Sequence, residues 1–386
     1  MARYRFDQIA INSTDKRKPE DKDQADYIGL EHLDSGSLKV TRWGSKVPLK
    51  GEKLVMKKGD VLFGKRNAYL RRAAISPHDG LFSAHGMVLR PKTEIVDPEF
   101  FPFFIGSDYF FDRAIKISVG SLSPTVNWRD LKKEEFDLPS IPEQKKLTKV
   151  LRAISITKYA YEDLVRQTDE LVKSQFIEMF GNPEENDKGW EVCSLKDILL
   201  LLRNGINVKQ DKDQQGIPIT RIETISNREV DRSKMGYAGI TDKEKYRDYF
   251  LRDNDILMSH INSIQHIGKT AIFHPQYCGE TIIHGMNLLC LRADSSKVLP
   301  EYLFRYFQLD YFYKQVLSIT KPAVNQASMT VTDLKNLSLI VPPIEKQEMY
   351  CKFCDQSDKS KFELQYVNRN VKEMITCSQK KIRLNR

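Results

Sequence analysis

The chain repeats itself. His85-Gly86-Met87 returns as His284-Gly285-Met286, and the likeness runs far beyond the tripeptide. Tyr27–Leu33 aligns with Ile219–Ile225, laying Glu31 over Glu223. Gly59–Asn67 aligns with Asn254–Asn262, laying Asp60 over Asp255 and Asn67 over Asn262. Arg71–Ile75 aligns with Gly268–Ile272, Asp97–Phe110 with Leu299–Phe312, and Asp130–Gln144 with Asp333–Gln347. The offset widens steadily from 192 at the glutamates to 203 at the Asp-Leu-Lys motifs, as small insertions in the second copy would cause. Chance matches would scatter, so the chain is an internal duplication and its fold must be one that is used twice.

Each copy opens with short apolar runs separated by turn residues. Gly59-Asp60 ahead of Val61–Phe63 reads as a turn feeding a strand, and Gly86–Pro91 and Gly285–Ala293 read as buried strands. The glycine of each His-Gly-Met is expected to supply a turn or bulge before its strand. Asp97–Lys116 reads as one amphipathic helix with Asp97 as N-cap and Pro98 at the first helical position; the second copy keeps Pro300 but has Leu299 in place of the cap. Mixed strands and helices in this order predict an α+β domain.

Each copy then changes character. From Glu143 to Phe180 there is neither Pro nor Gly. Val150, Thr157, Leu164 and Leu171 form one sevenfold row, and Leu147, Ile154, Tyr161 and Thr168 a second. The second copy repeats them as Phe353, Ser360, Val367 and Met374, and as Tyr350, Ser357, Leu364 and Val371. A lone helix roughly 55 Å long needs a partner for its seam, so the two long helices are expected to pair. Gly181-Asn182-Pro183 ends the first. The spans that follow are 1–142, a domain; 143–182, a spacer helix; 183–344, a second domain; and 345–386, a second spacer helix. Two globular domains held apart by paired helices suit a reader of two DNA half-sites.

Composition agrees with a globular protein that meets a polyanion. Hydrophobic residues are 40% and charged residues 29% of the chain, and the formal net charge is +9. The longest aliphatic run, Ile198–Leu202, is far short of the roughly 20 residues that cross a bilayer, and the N-terminal stretch lacks a signal-peptide core. No membrane contact is expected, and the cytoplasm is the expected location. Cys351 and Cys354 form a single Cys-x-x-Cys in a helix-like stretch, read as reduced cysteines rather than a zinc or redox site. Ile267–Thr270 resembles a phosphate loop but has Ser263 where the first glycine belongs. The duplicated histidines lack a repeated nucleophile or base beside them, so they mark a strand entry rather than a catalytic pair; reach to DNA stays open for both.

The candidate DNA-binding residues fall on two loops per copy. In the first copy they are Lys57, Lys58, Lys65, Arg66, Asn67, Tyr69 and Arg71, in a run with a single acid, followed by Ser123, Thr125 and Asn127. Arg and Lys suit phosphates and guanine edges, and Asn suits adenine. In the second copy they are Ser259, His260, Asn262 and Gln265, far less basic but rich in donors and acceptors, then Lys321, Asn325 and Gln326. One scaffold with two different loops is what two different half-sites require.

The twice-repeated order of Asp-Ile/Val-Leu strand, polar loop, Asp-Leu-Lys, Pro-x-x-Glu/Lys-Gln and long helix, with Leu171–Pro183 closing the first helix, resembles the specificity subunit of type I restriction-modification systems. The resemblance covers essentially the whole chain. It implies two target recognition domains, each reading half of a split, asymmetric sequence in double-stranded DNA. It implies long helices that pack antiparallel and dock two methyltransferase subunits, with restriction (motor-nuclease) subunits joining them. It also implies no catalysis by this chain: S-adenosylmethionine, ATP and Mg belong on partner subunits, and no cofactor or metal is expected here. The rival readings are a nuclease or methyltransferase that recognises DNA itself, a coiled-coil scaffold for proteins, and the specificity subunit of a related type II-like methyltransferase-nuclease.

Overall fold

The computed structural model describes residues 1–211, 216–225, 228–240, 242–322 and 326–384, with side chains described up to residue 364 except at 211 and 322. The chain forms two compact units, Met1–Leu164 with the segment from Leu364 onward, and Val165–Glu363. The divisions fall inside two long helices, Ile141–Phe180 and Ile344–Leu384, so each unit takes part of both.

In the first unit the turn at Gly59-Asp60 leads into the strand Val61–Phe63. This strand lies between Met87–Pro91 and Ala73–Ile75, and Ala10–Ser13 completes a four-stranded antiparallel sheet. Val61, Leu62 and Phe63 are all buried, because both faces of the sheet are covered. Phe63 faces a cluster of rings that includes Phe6, Phe104, Phe110 and Phe136. Leu62 and Val88 face Leu54, Met56 and Phe82. Leu54, Met56 and Phe82 belong to a second sheet, in which Tyr27–Ile28 runs parallel to Gly80–Phe82.

The second unit repeats this frame. Leu199–Asn204, Leu288–Ala293, Ile256–Ser259 and Thr270–Ile272 form a sheet of the same order. The register repeats too: Val61 pairs with Leu89, and Ile256 with Leu291. So does the ion pair beneath the turn. Asp60 accepts from the Lys57 backbone N–H at 2.8 Å and from the Arg90 guanidinium at 2.7 and 2.9 Å. Asp255 accepts from the Arg252 N–H at 2.7 Å and from Arg292 at 2.7 Å twice. Both carboxylates are buried, a position a charge tolerates when it is paired this completely.

One expectation needs correction and one gains a second reason. The helix read over Asp97–Lys116 is broken in two, Phe101–Ile105 and Asp108–Lys116. Ser107 is extended and accepts from the Phe110 N–H at 3.2 Å, capping a new helix, while Asp97 accepts from Glu99 and Phe100 N–H at 3.1 Å in the turn before the first. The second copy breaks likewise into Pro300–Tyr306 and Asp310–Ser318. The glycines of the two His-Gly-Met repeats sit in turns that feed their strands, as expected: the Gly86 N–H closes a turn on the Ser83 carbonyl at 3.0 Å, the Gly285 carbonyl accepts from the Leu288 N–H at 3.0 Å, and both also allow close packing. A Cβ on Gly86 would lie 2.1 Å from the Phe82 ring, and one on Gly285 would lie 2.2 Å from the Thr220 carbonyl oxygen.

The first long helix ends at Phe180, and Gly181 follows in the left-handed conformation, φ 76°. Its second half pairs with the start of the other long helix inside the second unit. Lys361 reaches Asp169 at 2.7 Å, the Tyr350 hydroxyl donates to the Val172 carbonyl at 3.2 Å, and Phe176 and Phe180 stack edge-on against Tyr350. Partner numbers fall as residue numbers rise, so the pairing is antiparallel. One predicted row faces outward, and the row one residue on is buried against the first domain, where Leu151 joins the ring cluster and the Lys158 ammonium donates to the Gly36 carbonyl at 3.1 Å. Val150, Leu164 and Leu171 are 51%, 45% and 52% exposed, whereas Gln144, Leu151 and Lys158 are buried, as are Gln347 and Cys354. The second row is where it was expected: Tyr350 and Ser357 are buried. Burial pushes the Cys354 thiol up to about 11 and Cys351 up to about 12, so both stay protonated within the seam. No helix among the described residues is long and apolar enough to cross a membrane.

The base of each long helix is tied to its domain by one buried amide. Gln144 Oε1 accepts from the Asp97 N–H at 2.8 Å, and its Nε2 donates to the Pro139 and Ile95 carbonyls at 2.9 and 3.1 Å. Gln347 does the same with the Leu299 N–H (2.8 Å), the Pro342 carbonyl (2.7 Å) and the Lys297 carbonyl (3.3 Å). Replacing Gln347 with Leu removes all three bonds and leaves the buried Pro342 carbonyl unpaired, at about 1–3 kcal/mol for that group and about 0.5–1.5 kcal/mol for each of the others. Denaturant unfolding of the full chain should show a loss of at least ~2 kcal/mol; a loss below ~0.5 kcal/mol would mean the amide is not a lock.

Candidate nucleic-acid interface

In each unit, two loops far apart in sequence are joined by backbone hydrogen bonds. In the first, Arg66 forms an antiparallel bridge with Thr125, the Asn67 N–H donates to the Pro124 carbonyl at 2.7 Å, and the Val126 N–H donates to the Lys65 carbonyl at 2.9 Å. In the second, Ile261 and Asn262 pair with Ser328 and Ala327, and the Met329 N–H donates to the His260 carbonyl at 3.0 Å. The Lys65–Val126 and His260–Met329 bonds occupy equivalent places, so a shared backbone frame presents both loop pairs.

The side chains on that frame differ. In the first unit Arg66 is exposed, and its guanidinium donates to Ser123 Oγ at 3.1 Å. Lys65 is half-buried, and burial together with nearby Lys16 holds its pKa below the usual lysine value. Tyr69 and Asn127 are exposed; Ser123 and Thr125 are half-buried. Asn67 sits in the left-handed region, φ 55°, with its Oδ1 buried and unpaired. Three candidates stand apart from this group. Lys57 and Lys58 lie at the other end of the Val61–Phe63 strand, where Asp79 takes the Lys57 ammonium at 3.1 Å and the Lys58 N–H at 2.8 Å. Arg71 binds Asp108 at 2.6 Å and Asp112 at 2.9 Å, which commits its charge to anchoring the loop on the Asp108–Lys116 helix.

In the second unit Ser259 is fully buried and accepts from Asn262 Nδ2 at 3.2 Å. His260 is buried, and burial lowers its pKa, so it stays neutral. Gln265, Lys321 and Gln326 are exposed, and Asn325 lies outside the described residues. The duplicated histidines part company: His85 is exposed, whereas His284 is buried with Nδ1 2.9 Å from the Tyr249 carbonyl, out of reach of a DNA surface.

A cleft of about 570 Å³ opens beside the second unit's loops. Ile222 and Ile225 supply apolar wall; Ser259 and Asn262 line it together with His266 and Lys269. Glu223 and Lys234 also border it, and Lys234 lies 3.4 Å from Asp231. Glu223, Lys234 and Lys269 are absent from the sequence-derived candidates. The signal was present for two of them, since the repeat lays Glu31 over Glu223 and Arg72 over Lys269.

Comparison with known proteins agrees with the duplication. The family described as "Type I restriction modification DNA specificity domain" matches residues 8–162 and 187–372. The chain belongs to this family. A Methanocaldococcus jannaschii protein named as the specificity subunit of type I restriction enzyme MjaX is 45% identical over 177 residues, 45% of this chain and 40% of that protein. The EcoKI specificity subunit of Escherichia coli K12 is 25% identical over 294 residues, 70% of this chain and 60% of that one. The chain spans about half the length of the curated relatives it matches. The crystal structure of a type I restriction-modification S subunit from M. genitalium matches 99% of this chain and 95% of that one, with a TM-score of 0.52 and 11% identity, a likeness of fold.

For this member of the specificity family, replacing Lys65 and Arg66 together with Ala should weaken binding to double-stranded DNA by more than ~1 kcal/mol. Arg71→Ala should act mainly on stability. Titration and unfolding of the same two proteins separate the effects; unaltered DNA binding by the double variant would remove that loop from the interface.

Proposed function

We propose that the chain is the DNA-reading subunit of a type I restriction-modification complex. Each recognition domain reads one half of a bipartite, asymmetric target in double-stranded DNA. The observation that carries this is the duplicated loop frame: the same backbone bonds hold a cationic loop pair in one unit and a mostly neutral, donor-and-acceptor-rich pair in the other. A common frame with divergent chemistry suits two half-sites of different sequence. The net charge of +9 supports a polyanionic partner.

The chain carries no catalysis in this reading. Methyltransferase subunits dock on the long helices, restriction subunits join them, and those partners hold S-adenosylmethionine, ATP and Mg. The outward apolar row Val150, Leu164 and Leu171 supports docking on the first long helix. The spans 1–142 and 183–344 serve as the two readers, and 143–182 and 345–386 as spacers.

The test is domain exchange. Replacing residues 1–142 with those of a relative of different specificity should change one half of the sequence methylated in the host and leave the other half and the gap intact. A change in both halves, or in neither, would sink the two-reader model. A titration of DNA against salt excludes the protein-scaffold alternative if affinity falls steeply with ionic strength.

A further inference from the structure

Both copies hold a glutamate on the same short turn. In the first, the Gly29 N–H donates to His32 Nδ1 at 2.9 Å; in the second, the Arg221 N–H donates to Thr224 Oγ1 at 2.8 Å. The backbone closes each turn in the same way, His32 N–H to the Gly29 carbonyl at 3.1 Å and Thr224 N–H to the Arg221 carbonyl at 3.0 Å. The pinning side chain has changed from imidazole to hydroxyl, and the loops nearby have diverged. The residue before the pin is nevertheless Glu31 in one copy and Glu223 in the other.

In the second unit this turn forms part of the cleft wall, with Asn262, His266 and Lys269. Glu223 and Lys269 are both exposed in it, and among the described residues no ion pair joins them or occupies either one. An acid beside a polyanion is repelled by every phosphate it meets. It is tolerated where it accepts a hydrogen bond, and the donors that the major groove offers a carboxylate are the amino groups of cytosine N4 and adenine N6. Lys269 supplies the compensating positive charge.

Resting on the DNA reading above, we propose that Glu223 accepts a hydrogen bond from the exocyclic amino group of one base in its half-site, and that Glu31 does so in the other. The glutamates are then specificity-determining residues that the two readers share, set among residues that they do not.

The test is selection from randomised DNA by the full chain, alone and in the assembly purified from its host, comparing wild type with Glu223→Gln. The variant should lose its preference for cytosine or adenine at one position of one half-site, and the base lost identifies the donor. Affinity for the selected site should fall by roughly 5- to 150-fold, while affinity for random DNA does not fall. Replacing that base with an analogue lacking the amino group should cost wild type a similar factor and cost the variant little. Glu31→Gln should alter one position of the other half-site. Unchanged preferences, or equal tightening on selected and random DNA, would show that Glu223 is merely a repelling acid and overturn the proposal. A wild-type chain that selects no sequence at all would instead overturn the DNA reading on which it rests.

Discussion

A buried amide at the foot of each long helix sets the terms for the rest of the fold. Gln144 satisfies one backbone donor and two backbone acceptors from two separate segments, and Gln347 repeats the set. The Pro139 and Pro342 carbonyls are buried where the amide meets them, so a helix that left this orientation would leave them unpaired. The geometry matters because a helix is a lever. At the end of one roughly 60 Å long, a 5° error at the base is a displacement of roughly 5 Å. An amide, with donor and acceptor fixed in one plane, constrains direction as an apolar contact does not.

Above that anchor, the units separate what must stay constant from what is free to vary. The sheet register, the buried Asp60–Arg90 and Asp255–Arg292 pairs, and the backbone bonds between loops recur almost bond for bond. These are interactions among main-chain groups and buried charges, where a substitution leaves an unpaired partner. The loop side chains answer to no such constraint. Arg66 and Asn127 in one unit, and Gln265 and Gln326 in the other, are exposed on a frame that does not depend on them.

How much of this could be read from the residues alone follows the same division. The duplication, the α+β class, the turn before each central strand and the two long helices were all legible, because they rest on repeated motifs and on the absence of Pro and Gly. The seam was legible by half. Tyr350 and Ser357 lie where the sevenfold pattern puts them, but Val150 and Leu164 of the companion row are exposed, and the buried row beside it, Gln144, Leu151 and Lys158, packs on the first domain. Periodicity favours apolar residues, and this helix buries polar ones against its domain, where they find backbone partners. The break at Ser107 was hidden by an apolar run continuing across it, and the fate of His284 by its exposed twin. At the candidate interface, the meeting of the two loops was not legible, since it depends on pairing between distant segments. The committed charge of Arg71 was hidden for the same reason, since Asp108 and Asp112 lie on a helix well downstream.

The compact units do not follow the order of the chain. The first unit joins Met1–Leu164 to the segment from Leu364 onward, while the whole of the second is encoded between them. During synthesis, the first domain therefore emerges long before the helical segment that completes its unit. The second can close as soon as Glu363 has left the ribosome. The half translated first is the half finished last, and for most of its synthesis it carries the leading half of a long helix whose partner has not yet been made.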